Sequence, residues 1–191
     1  MASDVILCGP DYLRGLAELL HDYGITVDRV ADGAAIPGSF WGDSEAGLIG
    51  DHLFVRRDTP LHSALHEACH FICMDGDRRA QLHTDAGGDV AEENAVCYLQ
   101  GLLADEIAGF KRARLFADMD AWGYTFRLGS ARTWFEQDAT DARTWLVEPV
   151  WQEQARLRSA IPAIPSDRPV QRLSARACAV GPLALVRPPG P

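Results

Sequence analysis

The chain is short of positive charge, of long apolar runs and of paired cysteines, and each shortage removes a class of function. With 18 Lys and Arg against 27 Asp and Glu in 191 residues, its formal charge is −9. A surface of that sign has no electrostatic footprint for nucleic acid or an anionic membrane, so neither is expected as a partner. No stretch reaches the roughly 18 apolar residues of a spanning helix. The start has no basic region and an apolar run of only Val5–Cys8, so no secretory signal is expected. Five cysteines, an odd number without framework spacing, fit a reducing compartment, and the expected location is cytoplasmic. Proline is scarce until the end: seven of eleven lie in 161–191, together with four Arg and one acid. Such a segment buries too little apolar surface to offset its ordering entropy, so 161–191 reads as a disordered tail. Residues 1–160, in a chain that is 47% hydrophobic, are enough for one domain with a real core.

What the chain does have is His66-Glu67-Ala68-Cys69-His70. In a helix, residues four apart lie one turn above each other, so His66 and His70 project toward one point and can fill two corners of a tetrahedral metal site. Glu67 then stands beside the metal, where a general base for a metal-activated water belongs. Asp58-Thr59-Pro60 reads as the helix start, and the helix is expected over Pro60–Met74. Two exposed histidines and a solvated glutamate would give the same string, but Ala64, Leu65, Ala68, Cys69, Phe71 and Ile72 make the setting apolar, and an unpaired charge there needs a reason.

The third ligand is expected from a second helix. Gly87-Gly88 reads as its loop, Asp89 as its N-cap, and Ala95, Val96, Leu99, Leu102, Leu103 and Ile107 as its apolar stripe, ending at Gly109. Glu92 shares the face of Val96 and Leu99 and is the preferred ligand. Glu93 aligns with Cys97 and Gln100 at the stripe's edge and is the substitute. Asp89 and Glu92 also spell a capping box, in which Glu92 has no metal role. His62 lies a turn before His66 and cannot easily close the same tetrahedron, so it reads as a supporting or exposed group. Cys73 and Cys97 read as core hydrophobes rather than soft ligands. His83, in a loop, and Tyr98 are candidate helpers for polarising a substrate carbonyl.

Elsewhere, periodicity predicts a helix over Asp11–Tyr23, a strand at Ile25–Val27, a loop over Gly33–Gly47 holding Phe40 and Trp41, and a strand at Leu53–Val55. Helices are expected over Lys111–Trp122, from Ser130 to Trp145 and from Pro149 to Ser159, with a strand at Tyr124–Leu128. Short strands and helices without a βαβ rhythm indicate an α+β fold.

On these residues the segment Leu48–Ile107 resembles the glutamate-zincins, in which HExxH on one helix is completed by a Glu on the next; here His66, Glu67, His70 and Glu92 match. The resemblance implies a small zincin-like domain, with a short sheet packed on the HExxH helix and an edge strand along which an extended substrate lies. Leu53–Val55 is the expected edge. The family's Asp four residues after the third ligand is missing, since Val96 or Cys97 stands there. His62-Ser63-Ala64-Leu65-His66-Glu67-Ala68-Cys69-His70-Phe71, with Arg78-Arg79 downstream, is also similar to the elongation factor P hydroxylases, which implies iron in place of zinc. A two-His, one-carboxylate site suits both metals. The expectation is therefore a zinc metallopeptidase or amidase acting on a peptide or protein. An Fe(II)-dependent protein hydroxylase is the first alternative and a non-catalytic metal-binding regulator the second.

Overall fold

The computed structural model describes residues 4–42 and 44–147. The expected tail, the boundary at residue 160 and the helix expected from Pro149 lie outside them.

Helix α1 spans Pro10–His21 and strand β1 Thr26–Arg29; β2 is Gly47–Ile49 and β3 His52–Val55. The strands form one sheet in the order β1-β3-β2, with β1 parallel and β2 antiparallel to β3. A two-residue turn joins β2 to β3, and Gly50 at its first position takes φ 57°, the left-handed conformation that glycine reaches without steric penalty. The expected edge strand is thus the central one. Leu53 is fully buried and β3 is paired on both sides, so no substrate can add to it. Its run of apolar residues is the mark of an interior strand rather than an edge.

Helix α2, Leu61–Cys73, lies across the sheet, and every residue in it except Glu67 is buried. The expected cap does not form. Thr59 Oγ1 accepts from Arg56 N at 2.9 Å and Asp58 pairs with the Arg56 guanidinium at 2.6 Å, so both side chains build the preceding turn. The N-terminal segment supplies the missing partners instead, with Ile6 O accepting from Leu61 N at 2.8 Å. At the other end, Arg79 donates to the carbonyls of Phe71 and Ile72 at 2.7 and 2.8 Å, closing off acceptors that a helix terminus leaves open.

The short α3 (Gly76–Ala80) leads through a loop to α4, Val90–Leu103, where Asp89 caps as expected by accepting from Glu92 N at 2.9 Å. A 3-10 turn, Ala104–Glu106, precedes α5, Lys111–Trp122. Gly123 ends α5 with φ 103° and throws the chain into turns. No strand forms at Tyr124–Leu128: the alternation arises because Tyr124 and Phe126 both face an aromatic cluster, Phe126 lying 5.1 Å from Trp134, with no neighbouring strand to pair. Ser130 caps α6, Ala131–Gln137, as predicted, but the helix breaks at Asp138 and resumes as α7, Thr140–Val147. The whole is a mixed α+β fold in which α4 packs against both α2 and α7. Among the described residues no helix is long and apolar enough to cross a membrane.

Candidate metal centre

One turn of α2 brings His66 and His70 together as the spacing requires. Their Nε2 atoms lie 3.2 Å apart with the rings edge to face. The carboxylate that meets them is Glu93: its Oε1 is 3.2 Å from His66 Nε2 and its Oε2 3.4 Å from His70 Nε2. Tetrahedral zinc with bonds of about 2.0–2.2 Å sets its ligand atoms roughly 3.3–3.5 Å apart; the two nitrogens stand close to that spacing, and each carboxylate oxygen of Glu93 lies at a similar distance from one of them. His66, His70 and Glu93 form the one cluster of this kind among the described residues.

Glu92, the residue preferred from the helical stripe, points elsewhere. Its two oxygens accept from Arg78 at 2.7 and 2.9 Å, and Arg78 also donates to Ala86 O at 2.8 Å. The carboxylate lies beside Gly88 at the helix start but is held there by Arg78, and it is Glu93 that meets the histidines. The facing criterion failed for a physical reason. From Ala95 to Leu103 every residue of α4 is buried, so a stripe of apolar side chains does not say which side of the helix meets α2. The discriminating signal was polar: Gln100 lies two turns beyond Glu93 on the same face and is fully buried.

Gln100 orients the site from behind. Its Nε2 donates to His62 O at 2.7 Å, which leaves Oε1 as the acceptor for His66 Nδ1 at 3.3 Å. That contact puts a hydrogen on Nδ1 and aims the lone pair of Nε2 at the cluster, the arrangement metal-bound histidines usually show. The group behind His66 is thus a neutral amide on the same helix as Glu93. His62 is not exposed. Its ring packs 5.1 Å from Trp122 and 5.8 Å from Tyr124, and burial pushes its pKa down to about 3, so it forms a neutral wall.

Charge in the cluster is unevenly held. Burial opposes ionisation of Glu93, but His66 and His70 outweigh it and hold the carboxyl at about 2. Burial, with His66 beside it, takes His70 down to about 4. His66 is itself buried, yet the charge of Glu93 and hydrogen bonds to Glu93 and Cys97 hold its pKa above the usual histidine value. Without a cation the trio therefore carries one proton on His66. Burial raises the thiols of Cys73 and Cys97, so neither offers a thiolate.

The cluster opens into a cavity of about 190 Å³, whose wall includes Glu67, Glu45, Asp85, Tyr124 and the Phe40–Trp41 pair. Burial, together with the charges of Glu45, Glu93 and Asp85 and against that of His66, lifts the Glu67 carboxyl to about 7. Tyr124, in the segment expected to be a strand, is the phenol at this wall, 5.8 Å from the His66 ring, and burial keeps it protonated as a hydrogen-bond donor. The helpers named from sequence lie elsewhere. Tyr98 stacks on Phe135 at 4.5 Å, and His83 faces outward with its Nδ1 3.0 Å from Thr84 Oγ1. The chain matches no family model, no curated protein and no solved structure, so the site is read from its own chemistry.

Proposed function

We propose that the chain is a metal-dependent hydrolase of peptide or amide bonds, with zinc held by His66, His70 and Glu93. The observation that carries this reading is the convergence, beside a cavity, of two imidazole nitrogens 3.2 Å apart with the Glu93 carboxylate, one of whose oxygens is 3.2 Å from His66 and the other 3.4 Å from His70. A zinc ion bound there would supply Lewis-acid chemistry, easing deprotonation of a water and polarising a carbonyl. Glu67 shares the cavity wall with the two histidines and is the one residue of α2 left partly open, which suits a group that must exchange protons with solvent. In the proposed reaction Glu67 takes a proton from the attacking water as the new C–O bond forms. It delivers that proton to the amine nitrogen as the C–N bond breaks. Tyr124, protonated and lining the same wall, suits hydrogen bonding to the carbonyl oxygen. The ligand set suits iron-dependent hydroxylation equally, so the metal the protein holds separates the two readings.

The test combines metal analysis with one substitution. Protein purified anaerobically is expected to hold zinc, and Glu67→Gln is expected to keep it while turnover of a peptide library falls about 10²–10⁴-fold. Stoichiometric iron, or undiminished turnover in Glu67→Gln, overturns the hydrolase.

A further inference from the structure

We propose that the β1 edge of the sheet docks an extended acidic segment of another protein, which adds to β1 as a further strand and sets its carboxylates against Arg14, Arg29 and Arg57. This site is separate from the metal centre and does not depend on the hydrolase reading.

The first observation is a contrast between the two sheet edges. On the outer side of β2, Leu48 O accepts from Thr84 N at 3.0 Å and Gly50 N donates to Leu82 O at 2.9 Å. Thr84 lines the cavity, so the edge beside the metal centre is closed. At the opposite edge, β1 runs parallel to β3, with Thr26 N and Val30 N donating to Asp51 O and Val55 O, both at 2.8 Å. Along a parallel strand, alternate residues turn their amide and carbonyl groups to opposite sides, so those of Val27 and Arg29 point away from the sheet. Among the described residues no backbone group pairs with them. A row of open donors and acceptors is a template for an added strand.

The second observation is the groove beside that edge. The side chains of Val27 and Arg29 share one face of β1. With Leu13, Arg14 and Ala17 of α1 and Arg57 beyond β3, they line a groove of about 360 Å³, within the roughly 300–1,000 Å³ of ordinary binding pockets. Leu13, Ala17 and Val27 are only half-buried and give it an apolar floor. Every second side chain of an added strand would face this groove.

The third is charge. In a chain of formal charge −9, three guanidinium groups gather at this one groove. Asp32 lies 3.9 Å from Arg29 through one oxygen and 3.9 Å from Arg57 through the other. One carboxylate shared by two guanidinium groups offsets one charge, and Arg14 has no ion pair among the described residues. The balance that remains is positive, and it favours an acidic strand over a neutral or basic one. The same sign disfavours two other occupants. Two copies joined edge to edge about a two-fold axis would bring identical arginines together. Residues 148–191 carry six Arg against three acids.

The experiment is a fluorescence-anisotropy titration of the full chain with rhodamine-labelled peptides. The probe, Ser-Val-Thr-Glu-Thr-Glu-Ser, sets Val and both Glu on one face of a strand. A version with Gln for both Glu removes the charge. Two further versions are N-methylated at alternate residues, so that one of them loses every amide turned toward β1. The Glu probe is expected to bind about tenfold more tightly than the Gln version, with the difference shrinking to within about threefold in ~1 M salt and in Arg14→Gln/Arg57→Gln. One methylated version should bind at least about tenfold more weakly than the probe. Equal affinities for the Glu and Gln peptides overturn the proposal, as does a preference that survives high salt. A preference that survives the double substitution, with circular dichroism matching the wild type, overturns it too. Two methylated versions that bind like the parent reject strand addition. No binding of the probe to the full chain also overturns it, whether a second copy, seen as a dimer in sedimentation, or residues 148–191 hold the edge. Neither zinc content nor turnover enters any of these outcomes, so failure here leaves the hydrolase reading standing.

Discussion

The two ends of the same site are built differently. Behind the three side chains that could hold a metal, the α2–α4 interface is buried: His66, Gln100 and Cys97 are enclosed, and Gln100 is hydrogen-bonded at both ends of its amide. At the mouth, Phe40, Trp41 and Asp85 are open to solvent. Glu92 and Glu93 show the contrast at closest range. They are adjacent on one helix, yet one is tied to Arg78 and the other meets two imidazoles. Packing at the back fixes where ligand atoms stand, while the mouth retains freedom to choose what enters. Substitutions at the back should therefore change metal affinity, and those at the mouth should change selectivity.

The sharpest way to break this contrast is to exchange the roles of the two glutamates. Glu93→Gln is expected to weaken zinc binding about 100-fold or more, because it removes the anionic ligand, whereas Glu92→Gln should leave it within about threefold. Competition with a chelating dye measures both, and equal losses would reject the assignment of Glu93. Next in size is Gln100→Leu, which keeps the volume but removes the acceptor for His66 Nδ1. Zinc affinity should fall about 10–100-fold in the same assay, the usual effect of losing a group that orients a metal-bound histidine. Glu45→Gln at the mouth should leave zinc affinity unchanged, and a loss comparable to that of Gln100→Leu would erase the distinction between the two ends.

A smaller effect follows from the protons. At neutral pH the metal-free cluster carries its proton on His66, while Glu93, at about 2, is ionised and His70, at about 4, is neutral. Zinc must displace that one proton, so affinity should fall about tenfold per unit as pH drops below 7 and level off once His66 loses its proton at high pH. Calorimetry in buffers of different ionisation enthalpy counts the protons released; a count near zero would contradict the charge state inferred for His66. The smallest expected change is in stability. Phe40→Ser, at a ring that is 58% exposed, should alter unfolding free energy by no more than about 0.5 kcal/mol in a denaturant titration.

Much of the site was legible from local sequence because its rules are local. The helical repeat brings His66 and His70 together whatever surrounds them, and Asp89 caps α4 because its side chain needs only the amide three residues on. The misreadings share one cause, a dependence on what lies opposite. Leu53–Val55 reads as a strand from its residues, but whether it is an edge depends on β1 and β2 arriving on either side. The alternation at Tyr124–Leu128 satisfies a strand pattern with no strand beside it, and the phenol it places at the cavity could not be found that way. From local sequence His62 reads as a supporting or exposed group because its surroundings, Trp122 and Tyr124, arrive some sixty residues later.

The sequence alone determined the α+β class, the pair of histidines with Glu67 between them, and the acidic balance that sets the sign of the field. Those follow from backbone periodicity and composition, which act over a few residues or over the whole chain. Only the tertiary structure decided that Glu93 rather than Glu92 meets the histidines, that a buried amide aims His66, and that the sheet edge by the cavity is closed. Each depends on which side of one element faces another, and a helix buried nearly all round carries no record of that in its apolar pattern.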